Sequence, residues 1–309
     1  MLEAPIPFSY ATEAISHHAM HHEKMQTLAI DIGGTKFTLA AFENERLILR
    51  ETRPTDRNGG PELLFSQVEE IFNRWRAENG FMPDRCGIGF GGPVNFRSQT
   101  VTLSTHVPGW VNYPLVPKVE QLTGVRAVMD NDANVGGLGE SIYGAGRDLS
   151  SLFYLTLSTG IGGGLILDQK IYRGADSFAG EIGHINLVPD GPDCLCGAQG
   201  CFERMCCGLW LERDYGRPAK ELLLDPEFVR GYVVYLARGL KAALMIVNPD
   251  RIVIGGGISK AGDRLFGPLR EELNRQMTDW SRARRDVMPA ALADDSVLYG
   301  ALALAKAHL

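Results

Sequence analysis

The sequence predicts a two-lobed α/β protein with a cleft between its halves, and three observations predict it. Apolar, strand-like runs alternate with helical segments in two successive rounds. Each round opens with a strand, a glycine turn and a second strand: QTLAIDI-GGTK-FTLAAFE (26–43), then LFYLTLS-TGIGGG-LILD (152–168). A third glycine run, in GGGIS (255–259), follows another buried strand. Interleaved strands and helices build layered α/β domains, and ligands settle in the clefts between such halves.

The elements follow in chain order. Residues 1–25 read as a flexible leader rich in histidine (His17, His18, His21, His22). It lacks the basic and apolar regions of a secretory signal. Order is expected from Gln26. RLILRETRP (46–54) is a third strand. Residues 61–79 place Leu63, Leu64, Phe65, Val68, Ile71, Phe72 and Trp75 at helical spacing, with Pro61 in the first turn and Gly80 as the stop. CGIGF (86–90) is a buried strand, 115–124 a helix, RAVMD (126–130) a strand, and a helix starts near Asp132. In the second round, 226–248 is a long amphipathic helix, RIVIGGG (251–257) a strand, and 296–309 an alanine-rich helix that needs a core to pack on. The expected division is a first lobe over 26–130, joined by the terminal helix 296–309, and a second lobe over 131–295.

Composition excludes some classes. The chain has 309 residues, 45% hydrophobic and 22% charged, as a soluble globular protein does. A net charge of −6 leaves no basic footprint for nucleic acid. No apolar run reaches the roughly 18 residues that span a bilayer. The six cysteines are Cys86 and a cluster at Cys194, Cys196, Cys201, Cys206 and Cys207. That is not the even spacing of a disulfide framework, so reduced thiols and a cytoplasmic setting are expected.

DIGGTK (31–36) and STGIGGG (158–164) can do similar physical work. Glycine lets backbone approach a ligand closely, and successive N–H groups in such turns bind anions. Lys36 adds a cation, and Thr35 and Thr159 add hydroxyls. Neither turn has Walker spacing, and a hairpin turn alone would explain either one. Two in matching positions plus GGGIS point to a phosphate-rich ligand. DNDAN (130–134) stands between a strand and a helix. Its side chains can cap the helix, and an aspartate there can act as general base in phosphoryl transfer.

The stretch GEIGHINLVPDGPDCLCGAQGCFER (180–204) reads H-x9-C-x-C-x4-C through His184, Cys194, Cys196 and Cys201. Imidazole and thiolates suit zinc, and four of them close a tetrahedral, structural site. Cys206 and Cys207 are second-ranked ligands, expected in a helix. Glu181 and Glu203 flank the cluster, and a pinned loop would hold both carboxylates as rigid acceptors for a polyhydroxylated ligand.

From Gln26 to Leu309 these motifs resemble the ROK family of repressors, open reading frames and sugar kinases. DIGGTK resembles its first phosphate loop. LSTGIGGGL, Gly174 and GEIGH match its signature spacing, and H-x9-C-x-C-x4-C-x-E its zinc and substrate segment. The resemblance implies an actin-like (RNase H-like) ATPase fold closing over ATP, Mg²⁺ and a hexose, with structural Zn²⁺ and a homodimer. It implies Asp132 as catalytic base and Asn131, Glu181, His184, Glu203 and Gly92 at the sugar. Asp31 would lie near Mg²⁺. Gly33, Gly34, Thr35, Lys36, Thr159, Gly160 and Gly162 would meet the phosphates, and Gly255, Gly256 and Gly257 the adenosine. Two departures stand out: Gly91-Gly92-Pro93 replaces the family's frequent Pro-Gly-Pro, and the stretch from Cys207 to Pro226 is short.

STHVPGW (104–110) resembles the matching segment of ROK glucokinases, which makes glucose the expected acceptor. N-acetylmannosamine or fructose is the alternative. A sugar-responsive repressor is disfavoured, because the 25 residues before Gln26 are too few for a winged helix-turn-helix. The intact Asp132 and glycine loops disfavour a binding-only protein.

Overall fold

The computed structural model describes residues 24–56, 58–104, 108–281 and 283–309. The His-rich leader through residue 23 lies outside the described residues, as do residues 105–107 of the STHVPGW segment.

Two five-stranded sheets carry the fold, and they repeat one plan. The first holds β1 (Gln26–Ile32), β2 (Lys36–Glu43), β3 (Arg46–Pro54), β4 (Arg85–Phe90) and β7 (Ala127–Asn131), in the order β3-β2-β1-β4-β7. β5 (Val94–Asn95) and β6 (Thr100–Val101) form a small separate hairpin. The second sheet holds β8 (Ser151–Leu157), β9 (Ile161–Leu167), β10 (Lys170–Tyr172), β11 (Arg251–Gly255) and β12 (Val287–Pro289), in the order β10-β9-β8-β11-β12. In each, the opening strand pairs antiparallel with its hairpin partner and parallel with the strand on its other side. The two strand–glycine–strand units thus occupy the same place in the two sheets.

Helices fill three cores. α1 (Gly60–Asn79) and α2 (Leu115–Thr123) cover one face of the first sheet, with Ile30, Ile88, Val68 and Ile71 fully buried between them. Gly80 ends α1 in the left-handed conformation, at φ 64°. On the second sheet, α4 (Phe202–Cys206), α5 (Gly208–Tyr215), α6 (Ala219–Leu222), α7 (Pro226–Ile246) and α8 (Asp263–Met277) pack around Phe202, Leu236 and Leu265. α3 (Asp132–Tyr143) and α9 (Ser296–His308) lie between the sheets. Their shared core takes Ala29 and Ala40 from the first sheet and Leu152, Tyr154 and Val253 from the second. Strand alternation explains this: Leu28 and Ile30 face α1, while Ala29 between them faces α9.

The structure corrects the second glycine turn. Expected as a turn over 159–164, it is a turn only at its start, because β9 begins at Ile161 and Gly162, Gly163 and Gly164 pair with Thr156, Leu155 and Tyr154. The glycines serve close approach instead: a Cβ on Gly164 would lie 2.5 Å from the Ala133 carbonyl oxygen. The start of α3 therefore rests directly on β9 backbone. RIVIGGG is likewise a shorter strand, ending at Gly255, because Gly256 turns at φ 86°. α8 was not anticipated. Leu265, Leu269 and Leu273 have helical spacing, but Gly267 and Pro268 interrupt it.

Candidate active site

The cleft holds a cavity of about 330 Å³ lined by residues of both sheets and of the segment before α9. That is a ligand-sized volume. The sequence-selected residues lining it are Asp31, Gly33, Gly34, Thr35, Lys36, Gly92, Asn131, Asp132, Thr159, Gly160, Gly162, Glu181, His184, Glu203, Gly256 and Gly257. Gly255 does not line it. A Cβ there would run into the hydroxyl of Tyr154, which stands between β11 and the cavity.

The DIGGTK turn is tight, with Gly33 N–H donating to the Lys36 carbonyl at 2.9 Å and Thr55 Oγ1 donating to the Gly33 carbonyl at 2.9 Å. Lys36 Nζ sits 3.9 Å from Asp294 Oδ1, and Lys260 Nζ 2.7 Å from Asp294 Oδ2. Two ammonium groups, one from each glycine-loop region, thus meet at one carboxylate in the cavity wall. Lys260 and Asp294 were missed in the sequence. Lys260 sits one residue beyond GGGIS, so extending that motif would have found it. Asp294 enters the cleft from the segment before α9, far along the chain from Lys36, which local pattern does not show.

Asn131 caps α3: its Oδ1 accepts from Ala133 N–H at 3.0 Å and Asn134 N–H at 3.3 Å. Its Nδ2 donates to the Gly92 carbonyl at 3.1 Å, which leaves one amide proton for a ligand. The cap places Asp132 at the first helical position, facing the cavity. Burial, then the Asp31 carboxylate, pushes Asp132 up to about 7. Burial also raises Asp31 to about 7, against the pull of Lys36 and Arg50. Glu181 is raised by burial, with His184 opposing and Glu203 adding to the effect. A cleft that holds carboxylates this poorly compensated can take a hard divalent cation through oxygen, and Asp31 lies within the field of Lys36.

Glu203 lies in the first turn of α4 and is 8% exposed. Its Oε2 accepts from Ile161 N–H at 2.8 Å, which ties it to the start of β9 and leaves its other oxygen for a ligand. His184 ends a 3-10 turn (Ile182–His184) and is exposed to the cavity.

Behind these residues, His184, Cys194, Cys196 and Cys201 offer one donor atom each, all within 4.8 Å of one another. Cys196 Sγ lies 3.6 Å from Cys201 Sγ. Tetrahedral zinc with Zn–S bonds of ~2.3 Å places its sulfurs ~3.8 Å apart, so the donor set fits zinc. The loop is folded for this: Cys194 N–H donates to the Ala198 carbonyl at 2.8 Å, and Gly197 N–H to the Cys194 carbonyl at 3.0 Å. Cys206 and Cys207 lie apart in the core, where burial pushes the Cys207 thiol up to about 12 and Cys206 well above its ordinary value.

One further carboxylate escaped sequence reading. Glu140, fully buried on α3, accepts from Ala291 N–H at 3.1 Å, Leu292 N–H at 2.9 Å and Ser296 Oγ–H at 2.7 Å. It pins the segment that carries Asp294. An acid between Gly139 and Ser141 on a helix with all of its middle buried was the available signal.

The ROK family pattern matches residues 27–308. A glucokinase of Thermotoga maritima is 31% identical, over 93% of this chain and 99% of its own. An N-acetylmannosamine kinase of Vibrio cholerae serotype O1 is 32% identical, over 77% of this chain and 85% of its own. Among solved structures, a ROK hexokinase from Thermus thermophilus aligns with a TM-score of 0.78 and 32% identity, covering 92% of this chain and 98% of that one. A ROK family glucokinase from Streptomyces griseus, in complex with glucose and AMPPNP, aligns with a TM-score of 0.79 and 29% identity, covering 91% and 99%.

Proposed function

The chain belongs to the ROK family, and on that premise we propose that it transfers the terminal phosphoryl group of ATP to glucose. It is a sugar kinase with the actin-like ATPase fold, two lobes around a cleft. The observation that carries the residue assignment is the cleft itself. Its lining brings carboxylates and the Asn131 amide suited to sugar hydroxyls together with glycine turns and lysines suited to phosphates.

Asp132 is the general base on the acceptor hydroxyl. Asn131, through its remaining amide proton, and Gly92, Glu181, His184 and Glu203 orient the sugar. Phosphoryl transfer requires positioning and charge neutralisation more than covalent chemistry. Gly33, Gly34, Thr35, Lys36, Thr159, Gly160 and Gly162 receive the phosphates, with Lys260 as a second cation. Gly256 and Gly257 flank the adenosine, and Gly255 supports them from behind Tyr154. When bound beside Asp31, Mg²⁺ neutralises phosphate charge. Zinc on His184, Cys194, Cys196 and Cys201 is structural, since four protein ligands leave no open position.

The proposal includes a first lobe over 26–130 joined by the terminal helix, a second over 131–295, a homodimer and a cytoplasmic setting. Reduced thiols accord with the last: all six cysteines are free. Among the described residues, no helix is long and apolar enough to cross a membrane.

The test is ATP consumption with a panel of hexoses and N-acetylhexosamines, on protein purified with its zinc retained. Preferred turnover of glucose supports the assignment; preference for N-acetylmannosamine moves it to that acceptor. No turnover on any sugar by folded, zinc-loaded protein overturns it. A narrower expectation concerns the second cation. Lys260→Met should raise the KM for ATP roughly tenfold, as loss of one charged hydrogen bond does, and leave the KM for sugar near wild type. Steady-state kinetics with each substrate varied in turn reads both constants.

A further inference from the structure

We propose that Arg173 is a positioning residue for the sugar side of the reaction, one guanidinium that fixes three substrate-facing segments relative to one another. This rests on the kinase reading above. Arg173 follows β10 in the second sheet, and Asp130 lies in β7 of the first. Arg173 Nε donates to Asp130 Oδ2 at 2.6 Å, with the Asp130 side chain 1% exposed and that of Arg173 20% exposed.

The first segment is the one that presents Asp132. The other oxygen of Asp130 accepts from Asn131 N–H at 2.8 Å and from Asn134 Nδ2 at 3.0 Å. Its carboxylate therefore braces the cap of α3 from behind, and Arg173 supplies its countercharge.

The second segment leads to Glu181. Ala179 N–H donates to the Arg173 carbonyl at 3.1 Å, closing the turn 173–179 two residues before Glu181. The third is the Gly91-Gly92-Pro93 loop, which runs directly into β5 and then Phe96. The Arg173 guanidinium carbon lies 3.5 Å from the Phe96 ring centroid. Phe96 N–H donates to Ser177 Oγ at 3.3 Å, joining this loop to the turn 173–179.

Arginine suits the place because a planar guanidinium can pair with a carboxylate at its edge and stack on a ring by its face, which an ammonium cannot do. Arg173 is absent from the cavity lining, so its effect on the sugar is exerted through the groups it holds. A misplacement of about 1 Å at reacting groups can cost on the order of 10²-fold in rate.

The experiment compares the full-length wild type with Arg173→Met, Arg173→Lys and the double variant Asp130→Asn/Arg173→Met. ATP and glucose are varied in turn, and thermal midpoints are recorded. Arg173→Met leaves a buried charge unpaired and can misfold. The double variant removes both charges and keeps the test open. The expected result is a fall of roughly 10²-fold in kcat/KM for sugar in the double variant, with the KM for ATP within about twofold and a thermal midpoint near wild type. Arg173→Lys is expected to recover part of the loss. Wild-type sugar constants in the double variant overturn the inference, as does an equal loss in both KM values. An inactive wild type overturns the kinase reading, and this inference with it.

Discussion

Replacing Asp132 by Asn is expected to lower kcat by about 10²–10⁴, the usual contribution of a positioned general base. The substitution keeps size and helix-start geometry, since the cap is made by Asn131 rather than Asp132. Loss of activity without loss of fold therefore reports the base. The same variant carries a stability prediction. Asp132 is raised from 3.8 to about 7 by burial and by Asp31. A folded value above the unfolded one favours the protonated form on folding. That contribution is complete below the unfolded value and is lost as pH rises through about 7. Asn cannot ionise, so the thermal midpoint of the variant should gain on wild type between pH 4 and pH 8. In the wild type, kcat/KM for ATP with Mg²⁺, which reports the free enzyme, should rise over the same interval as the base ionises. Calorimetry and pH–rate profiles check both. Turnover by Asp132→Asn at the wild-type rate removes the residue from this role, and a pH-independent difference in midpoint removes the account of its environment.

Cys201→Ser is expected to eliminate bound zinc and to lower kcat/KM for sugar by about 10²-fold or more, as loosened positioning groups do. Cys201 is fully buried and is the N-cap residue of α4, whose first turn carries Glu203. Without metal, both the start of α4 and the turn at His184 lose their common anchor. The Glu203 bond to Ile161 N–H is then the remaining link between that carboxylate and β9. The KM for ATP should change far less, because the first glycine turn, Lys36 and Lys260 are held by Thr55 and Asp294, outside this loop. Cys207→Ser is the control: it alters a buried core thiol but should keep full zinc content. Elemental analysis of the two proteins, with kinetics on each substrate, distinguishes them. Full zinc in Cys201→Ser would remove that residue from the ligand set. Loss of zinc with unchanged sugar kinetics would separate the metal from the sugar site.

The extent to which this was readable in the sequence follows from the range of each interaction. The longer strands, most long helices and the Asn131 cap depend on neighbours within a few residues, and local periodicity exposes them; the two- and three-residue strands β5, β6, β10 and β12 are too short to show it. The four candidate metal donors lie within 18 residues of one another, from His184 to Cys201, so spacing alone named all four that the fold brings within reach. The actin-like resemblance rested on the same short motifs. The glycines of STGIGGG show where local reading failed. In the sequence they were a turn; in the fold they are strand, because α3 comes down onto β9 at backbone distance. Gly255 looked equivalent to Gly256 and Gly257 until Tyr154, a hundred residues earlier in the chain, was placed over it.

The sequence by itself determined the duplicated α/β plan, the phosphate-suited turns, the base candidate and the candidate metal donors, since each is a pattern over adjacent or nearly adjacent residues. Only the tertiary structure decided what meets across the cleft. Lys36 and Lys260 converge on Asp294, Glu140 holds the segment that carries it, and Arg173 braces Asp130 from the other sheet. Their partners are separated by 34 to 258 positions, and no local preference selects a partner at that distance. The packing of α3 and α9 between the two sheets does so, because it sets where each charge can find its counterpart.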